Sequence, residues 1–222
     1  MAPLWLSFKL SLITTAILLL IAIPLANWLA YSRFRLKLVA EAVISLPLVL
    51  PPTVLGFYLL LAFSPSNAFG KFLDQWLGIR LVFSFPGLVI ASLLYSLPFM
   101  VNPILAGFRG LPPSLREAAS TLGKPGAVTL VKILLPNIRA SLLTGIVLSF
   151  AHTLGEFGVV LMIGGNIPGK TRVASLAIYD EVQSMNYHAA NRYALILFAF
   201  SFTILLGVYL INHHFSKANA LT

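Results

Sequence analysis

Apolar residues in this chain run in long unbroken blocks instead of alternating or recurring on one helix face. A helix that crosses a bilayer needs about 20 such residues at about 1.5 Å each. Five blocks reach that length: Leu10–Ala30, Ala42–Phe63, Leu81–Phe108, Ala140–Gly165 and Tyr193–Ile211. Only the fourth carries ionisable side chains, His152 and Glu156. The pattern predicts an all-α polytopic membrane protein, with five transmembrane helices in a single domain over residues 1–222. The first block is too long for the core of a signal peptide and lacks a small-x-small cleavage site. Arg33, Arg35 and Lys37 follow it, as they would a stop-transfer helix, so it reads as a retained span.

Composition agrees. Of 222 residues, 59% are hydrophobic and 9% charged. Soluble domains carry about 25% charged residues, so this chain cannot clothe a water-facing surface, and a soluble enzyme is excluded. The formal net charge of +9 would suggest nucleic acid in a soluble protein. Here the basic residues sit between apolar blocks, where they orient the chain in the bilayer, and no nucleic-acid partner is expected. With the Arg33–Lys37 loop taken as cytoplasmic, that side holds Arg33, Arg35, Lys37, Arg109, Arg116, Lys124, Lys132, Arg139 and Lys217. The other side holds Lys9, Lys71, Arg80, Lys170, Arg172 and Arg192. The expected topology is N-terminus out and C-terminus in. Cysteine is absent, which removes disulfides and thiolate metal sites.

Prolines mark the second block. Pro51 and Pro52 each remove a helix donor and clash with the preceding turn, and in lipid the freed carbonyls need partners. The segment Pro51-Pro52-Thr53 is therefore either a kink packed on neighbours or the lining of a wet cavity.

The longest inferred cytoplasmic stretch is Phe108–Arg139. Pro112 and Pro113 end the preceding helix, and Ser114 lies three residues before Glu117, a capping-box spacing. A short helix is expected over Leu115–Leu122, with Gly123 at its C′ position. Leu115, Ala118, Ala119 and Leu122 then share one edge. That edge either docks a partner surface or packs on the chain's own helices. Glu117-Ala118-Ala119, Gly123 and the later Ile133-Leu134-Leu135-Pro136 run resemble the EAA motif of bacterial ABC importer permeases. The resemblance implies a coupling helix that fits a groove on a separate ATPase, with Glu117, Ala118, Ala119, Gly123 and Pro136 as its signature. It also implies a homodimer, a pair of ATPase subunits, and a substrate-binding protein on the far side of the cytoplasmic (inner) membrane. No cofactor belongs to the permease itself, ATP being bound by the partner, and the chain is not expected to be an enzyme.

Gly164–Thr171 matches G-x-x-x-x-G-K-[ST] to the letter. A phosphate-binding loop must lie between a buried strand and a helix. Here the preceding apolar run belongs to a block far too long for a strand, so ATP binding is not expected. The same stretch is similar to the molybdate branch of the importer permeases. The likeness lies in Gly155-Glu156-Phe157-Gly158, in Asn166-Ile167-Pro168-Gly169-Lys170-Thr171, and in Leu46–Gly56 of the second block. Sulfate permeases share the Gly-Glu-aromatic-Gly element and the EAA loop, so a sulfate/thiosulfate permease is the alternative. Relatives often carry Arg where this chain has His152.

Glu156 is the one acid deep in a span, and intramembrane ionisable groups are functional candidates. A carboxylate repels an oxyanion, so its expected role is hydrogen bonding that fixes helix packing near a gate. Pro51, Pro52, Thr53, Glu156 and Asn166 are the pathway and gate candidates. His152 and Glu156 are four residues apart, but no third metal ligand is nearby and no metal site is expected. No Lys or Arg occupies the middle of a span. A tight dianion site would want charge-assisted donors, so a low-affinity passage is expected. A secondary anion transporter would show internal repeats and paired intramembrane charges, which are absent from the sequence.

Overall fold

The computed structural model describes residues 1–219, and among them every regular element is helical. In chain order these are α1 (Ala2–Tyr31), α2 (Lys37–Ser45), α3 (Pro52–Phe63), α4 (Ala68–Leu77), α5 (Phe85–Arg109) and α6 (Ser114–Thr121). They continue with α7 (Gly126–Thr129), α8 (Leu135–Asn137), α9 (Arg139–Leu154), α10 (Gly158–Gly164), α11 (Ala174–Gln183) and α12 (Tyr187–Asn219). A wider turn over Leu130–Leu134 joins α7 to α8.

Three helical stretches are long and apolar enough to cross a bilayer unaided: Ala2–Tyr31, Phe85–Arg109 and Tyr187–Gly207. Two bent pairs also qualify, Lys37–Leu48 with Pro52–Phe63 at 108° and Gly126–Asn137 with Arg139–Leu154 at 81°. With each pair counted as one crossing, the total is five. The side chain of Lys217, counted above as cytoplasmic, lies outside the described residues.

α1 and α5 run side by side in the same direction. The Tyr31 hydroxyl donates to the Phe108 carbonyl at one end, and Leu10 packs in one cluster with Leu88 near the other. α9 runs against α5. A Cβ on Gly107 would lie 2.6 Å from Ser141 Oγ, and one on Gly145 would lie 3.1 Å from the Met100 carbonyl oxygen. Small residues let these backbones approach, as helix contacts in membranes require. Leu18, Ala22, Ala26, Leu29, Met100, Ile104 and Phe108 close the core at the α6 end.

The block Ala140–Gly165 is not one helix. It breaks over Gly155–Phe157, where α9 ends at Leu154 and α10 begins at Gly158. Two glycines flank the break, and Glu156 within it turns inward and is 5% exposed. The second block also breaks, after the short turn Leu46–Leu48, because Pro51 and Pro52 cannot continue α2.

Candidate functional site

The coupling loop folds as a compact unit. α6 ends on a Schellman motif: the Gly123 N–H donates to Ser120 O at 2.9 Å, the Lys124 N–H donates to Ala119 O at 3.0 Å, and Gly123 sits at φ +65°. Its start differs from expectation. Pro113 is the N-cap and Ser114 the first helical residue, so no capping box forms. The Pro113 carbonyl accepts from Arg116 and Glu117 directly. The predicted apolar edge divides. Ala119 is 2% exposed and packs inward, whereas Glu117 and Ala118 are exposed and Leu122 is 73% exposed. Thus the helix rests on the chain through Ala119 and offers Glu117, Ala118 and Leu122 outward. The Arg116 guanidinium lies 3.8 Å from the centre of the Tyr31 ring, which fixes α6 to the ends of α1 and α5. Pro136 is half-buried in α8.

At the other end of α9 the two helix breaks meet. A Cβ on Gly158 would sit 2.7 Å from Pro52 Cβ and 3.2 Å from Thr53 N, and one on Gly56 would sit 2.8 Å from Met162 Cβ. The start of α10 is therefore seated against the start of α3. Pro51, Pro52 and Thr53 share one locus with the break at Glu156, and Pro51 and Thr53 keep an open side. Glu156 bolts this locus to α5. Ser92 Oγ donates to its Oε2 at 2.7 Å, and the Ser175 hydroxyl donates to its backbone carbonyl at 2.5 Å. One turn back, Ser96 Oγ lies 2.9 Å from both His152 Nδ1 and Thr153 Oγ1. His152 and Glu156 are thus engaged by different serines.

Ser92, Ser96 and Ser175 were not among the sequence candidates. A signal existed: Ser92-x-x-x-Ser96 and His152-x-x-x-Glu156 have the same four-residue step on antiparallel helices, and they pair in register.

Asn166 lies elsewhere, past the far end of α10. Its amide donates to both Asp180 carboxylate oxygens at 2.9 and 2.8 Å, and Arg172 Nε donates to Oδ2 at 2.9 Å. Burial pushes the Asp180 carboxyl up, but the hydrogen bonds from Arg172 and Asn166 and the Arg172 charge outweigh it and hold it below the ordinary carboxylate range. This cluster ties the Gly165–Arg172 loop to α11. The loop's own bonds dispose of the phosphate-loop match. The backbone N–H groups of Lys170, Thr171 and Arg172 all point to the Ile167 carbonyl, at 2.9–3.1 Å. The Thr171 hydroxyl, fully buried, donates to Gly164 O at 2.6 Å and accepts from the Ile167 N–H. These N–H groups and the hydroxyl are spent within the loop and do not remain for a nucleotide. The loop also stands at the end of the bundle opposite α6, since the Ala174 N–H donates to Ser7 Oγ near the start of α1.

This arrangement has relatives. The family described as "Binding-protein-dependent transport system inner membrane component" matches residues 11–219. The chain belongs to that family. It is 47% identical over 210 residues to the molybdenum transport system permease protein ModB of Azotobacter vinelandii, covering 94% of this chain and 92% of that one. It is 36% identical to ModB of Escherichia coli K12, covering 82% and 81%. It is 35% identical to the sulfate transport system permease protein CysT of Salmonella typhimurium, covering 83% and 66%. Among solved structures, a bacterial importer of the acidic polysaccharide alginate superposes with a TM-score of 0.75 at 18% identity, covering 94% of this chain and 78% of that one. The MetNI methionine transporter in an inward-facing conformation superposes at 0.73 and 14% identity, covering 96% and 94%. These two share the fold. The chain is accordingly an all-α permease of the ABC importer type, a multi-pass membrane protein.

Proposed function

We propose that this chain is the permease subunit of an ATP-driven importer that carries molybdate, and the near-isosteric tungstate, across the inner membrane by alternating access. The observation that carries the substrate is the 47% identity to a molybdenum permease across 94% of the chain. The permease performs no chemistry. Two copies face each other, and each α6 docks on a partner ATPase through Glu117, Ala118 and Leu122, which stand open on its outer side. Tyr31, Arg116 and Ala119 carry the motion of α6 into α1 and α5. Those helices meet α9 and the paired breaks, where Glu156 acts as a bolt and Pro51, Pro52 and Thr53 line the moving edge. With α6 in the cytoplasm, the start of α1 and the Asn166 loop face outward, and that outer face receives a molybdate-binding protein. The topology is then N-terminus out and C-terminus in. Gly123 and Pro136 shape the coupling loop without touching the passage.

Uptake of labelled molybdate at submicromolar concentration, with and without this gene and challenged by excess sulfate, tests the reading. Gene-dependent uptake that resists sulfate supports it. Uptake abolished by sulfate would move the substrate to the sulfate branch, which the 35% identity to CysT keeps as the second reading.

A further inference from the structure

The membrane-depth surface of α5 and α9 carries three side chains, each with a polar group that the fold leaves unpaired. Tyr95 and Asn102 lie two turns apart on α5, and His152 lies on α9 beside Tyr95, with ring centroids 4.7 Å apart. The His152 ring also stacks on Phe99 at 3.9 Å. Its orientation is therefore set by an aromatic clamp and by Ser96 at Nδ1. With Thr153 donating to Ser96 and Ser96 donating to Nδ1, the imidazole proton sits on Nε2, the tautomer that makes Nε2 a donor. Among the described residues, His152 Nε2, the Tyr95 hydroxyl and the Asn102 amide have no hydrogen-bond partner. None of them is among the sealed polar atoms either, so all three reach open space.

Their depth makes this informative. Tyr95 lies ten residues into α5, about 15 Å from its start, and Asn102 lies about 10 Å further. Unpaired donors facing hydrocarbon at that depth cost several kcal/mol each, so this face does not look onto lipid tails. In the two-copy importer proposed above, it is a face for the passage between the copies. The Glu156 carboxyl is buried and accepts from Ser92, so it does not stand open on this face.

We propose that Tyr95, Asn102 and His152 form a ladder of neutral hydrogen-bond donors along the passage, and that its ligand is the tetrahedral oxyanion in transit. This rests on the importer reading above. Donors to a charged acceptor bind more strongly than neutral pairs. Without a cation they hold a dianion weakly enough to release it, as conduction through successive sites requires.

The test uses the whole transporter, with permease, ATPase and binding protein in proteoliposomes, and labelled molybdate uptake per assembled complex. Tyr95→Phe and His152→Phe each lower uptake about fivefold, the worth of one hydrogen bond. His152→Gln, which restores an N–H donor, recovers most of it. Tyr95→Phe removes one oxygen from an intact ring and keeps the helix packing. Wild-type uptake by Tyr95→Phe and His152→Phe would overturn the ladder, as would His152→Gln failing as badly as His152→Phe. No uptake by the unsubstituted transporter would instead overturn the molybdate reading on which the ladder rests.

Discussion

The α6 loop and the break at Glu156 do opposite things with the same kind of sequence. The loop is local: residues 113–124 make their own caps, and Gly123 closes the helix through bonds to Ala119 and Ser120. It is built to present a surface, with Glu117 and Ala118 facing out. The break is non-local. Its carboxyl is held by Ser92, 64 residues away, and its far side is seated on Pro52 and Thr53. It is built to be held from several sides. In the importer proposed above, the first would be the lever and the second the joint.

The contrast is sharpest under substitution. Ala118→Trp adds bulk to an exposed docking surface, so it should cut molybdate uptake more than tenfold while the chain still inserts and stays folded. Near-normal uptake would deny α6 its role as the docking element. Gly158→Leu strikes the joint. It forces a side chain against Pro52, and such overpacking costs about 1–3 kcal/mol. A lowered melting temperature in detergent, with uptake lost in step, is the expected result, and an unchanged melting temperature would show that the α3–α10 contact is loose. Glu156→Gln keeps an acceptor for Ser92, so it should assemble normally yet alter transport. Wild-type uptake would remove Glu156 from the mechanism.

The smallest effect belongs to the outer loop. Because the Asp180 carboxyl lies below its ordinary range in the folded chain, it stabilises the loop above that range. The contribution fades as pH falls through the depressed value, not as pH rises. Amide protection over residues 165–172, taken relative to the intrinsic exchange rate at each pH, should fall in acid, and Arg172→Ala should lower it at neutral pH as well. Exchange insensitive to both changes would mean that the loop is held by Thr171 alone.

The same contrast explains what was legible in the sequence. Long apolar blocks report their own length, so the three unbroken helices were readable, whereas length alone gave no sign that the second and fourth crossings are bent. The α6 loop was readable because its turn chemistry is local, apart from the start, where two prolines displaced Ser114 from the cap. The break after Pro51 was half readable, since proline forbids the helix but does not say what receives the broken end. The break at Gly155–Phe157 was half hidden: Gly155 and Gly158 weaken a helix without ending it, and the run passes for one helix until Ser92, Ser175 and Pro52 are placed beside it. Asn166, a pathway and gate candidate from the sequence, makes an outer clasp with Asp180 and Arg172.

ATP bound by the partner ATPase should move the edge at Thr53 through α6. The chain lacks cysteine, so Thr53→Cys carries a single spin label in each copy of the reconstituted transporter. The distance between the two labels should change by several ångströms when ATP is trapped on the partner subunits and return after hydrolysis. A distance that stays fixed while the complex hydrolyses ATP and imports molybdate would contradict it.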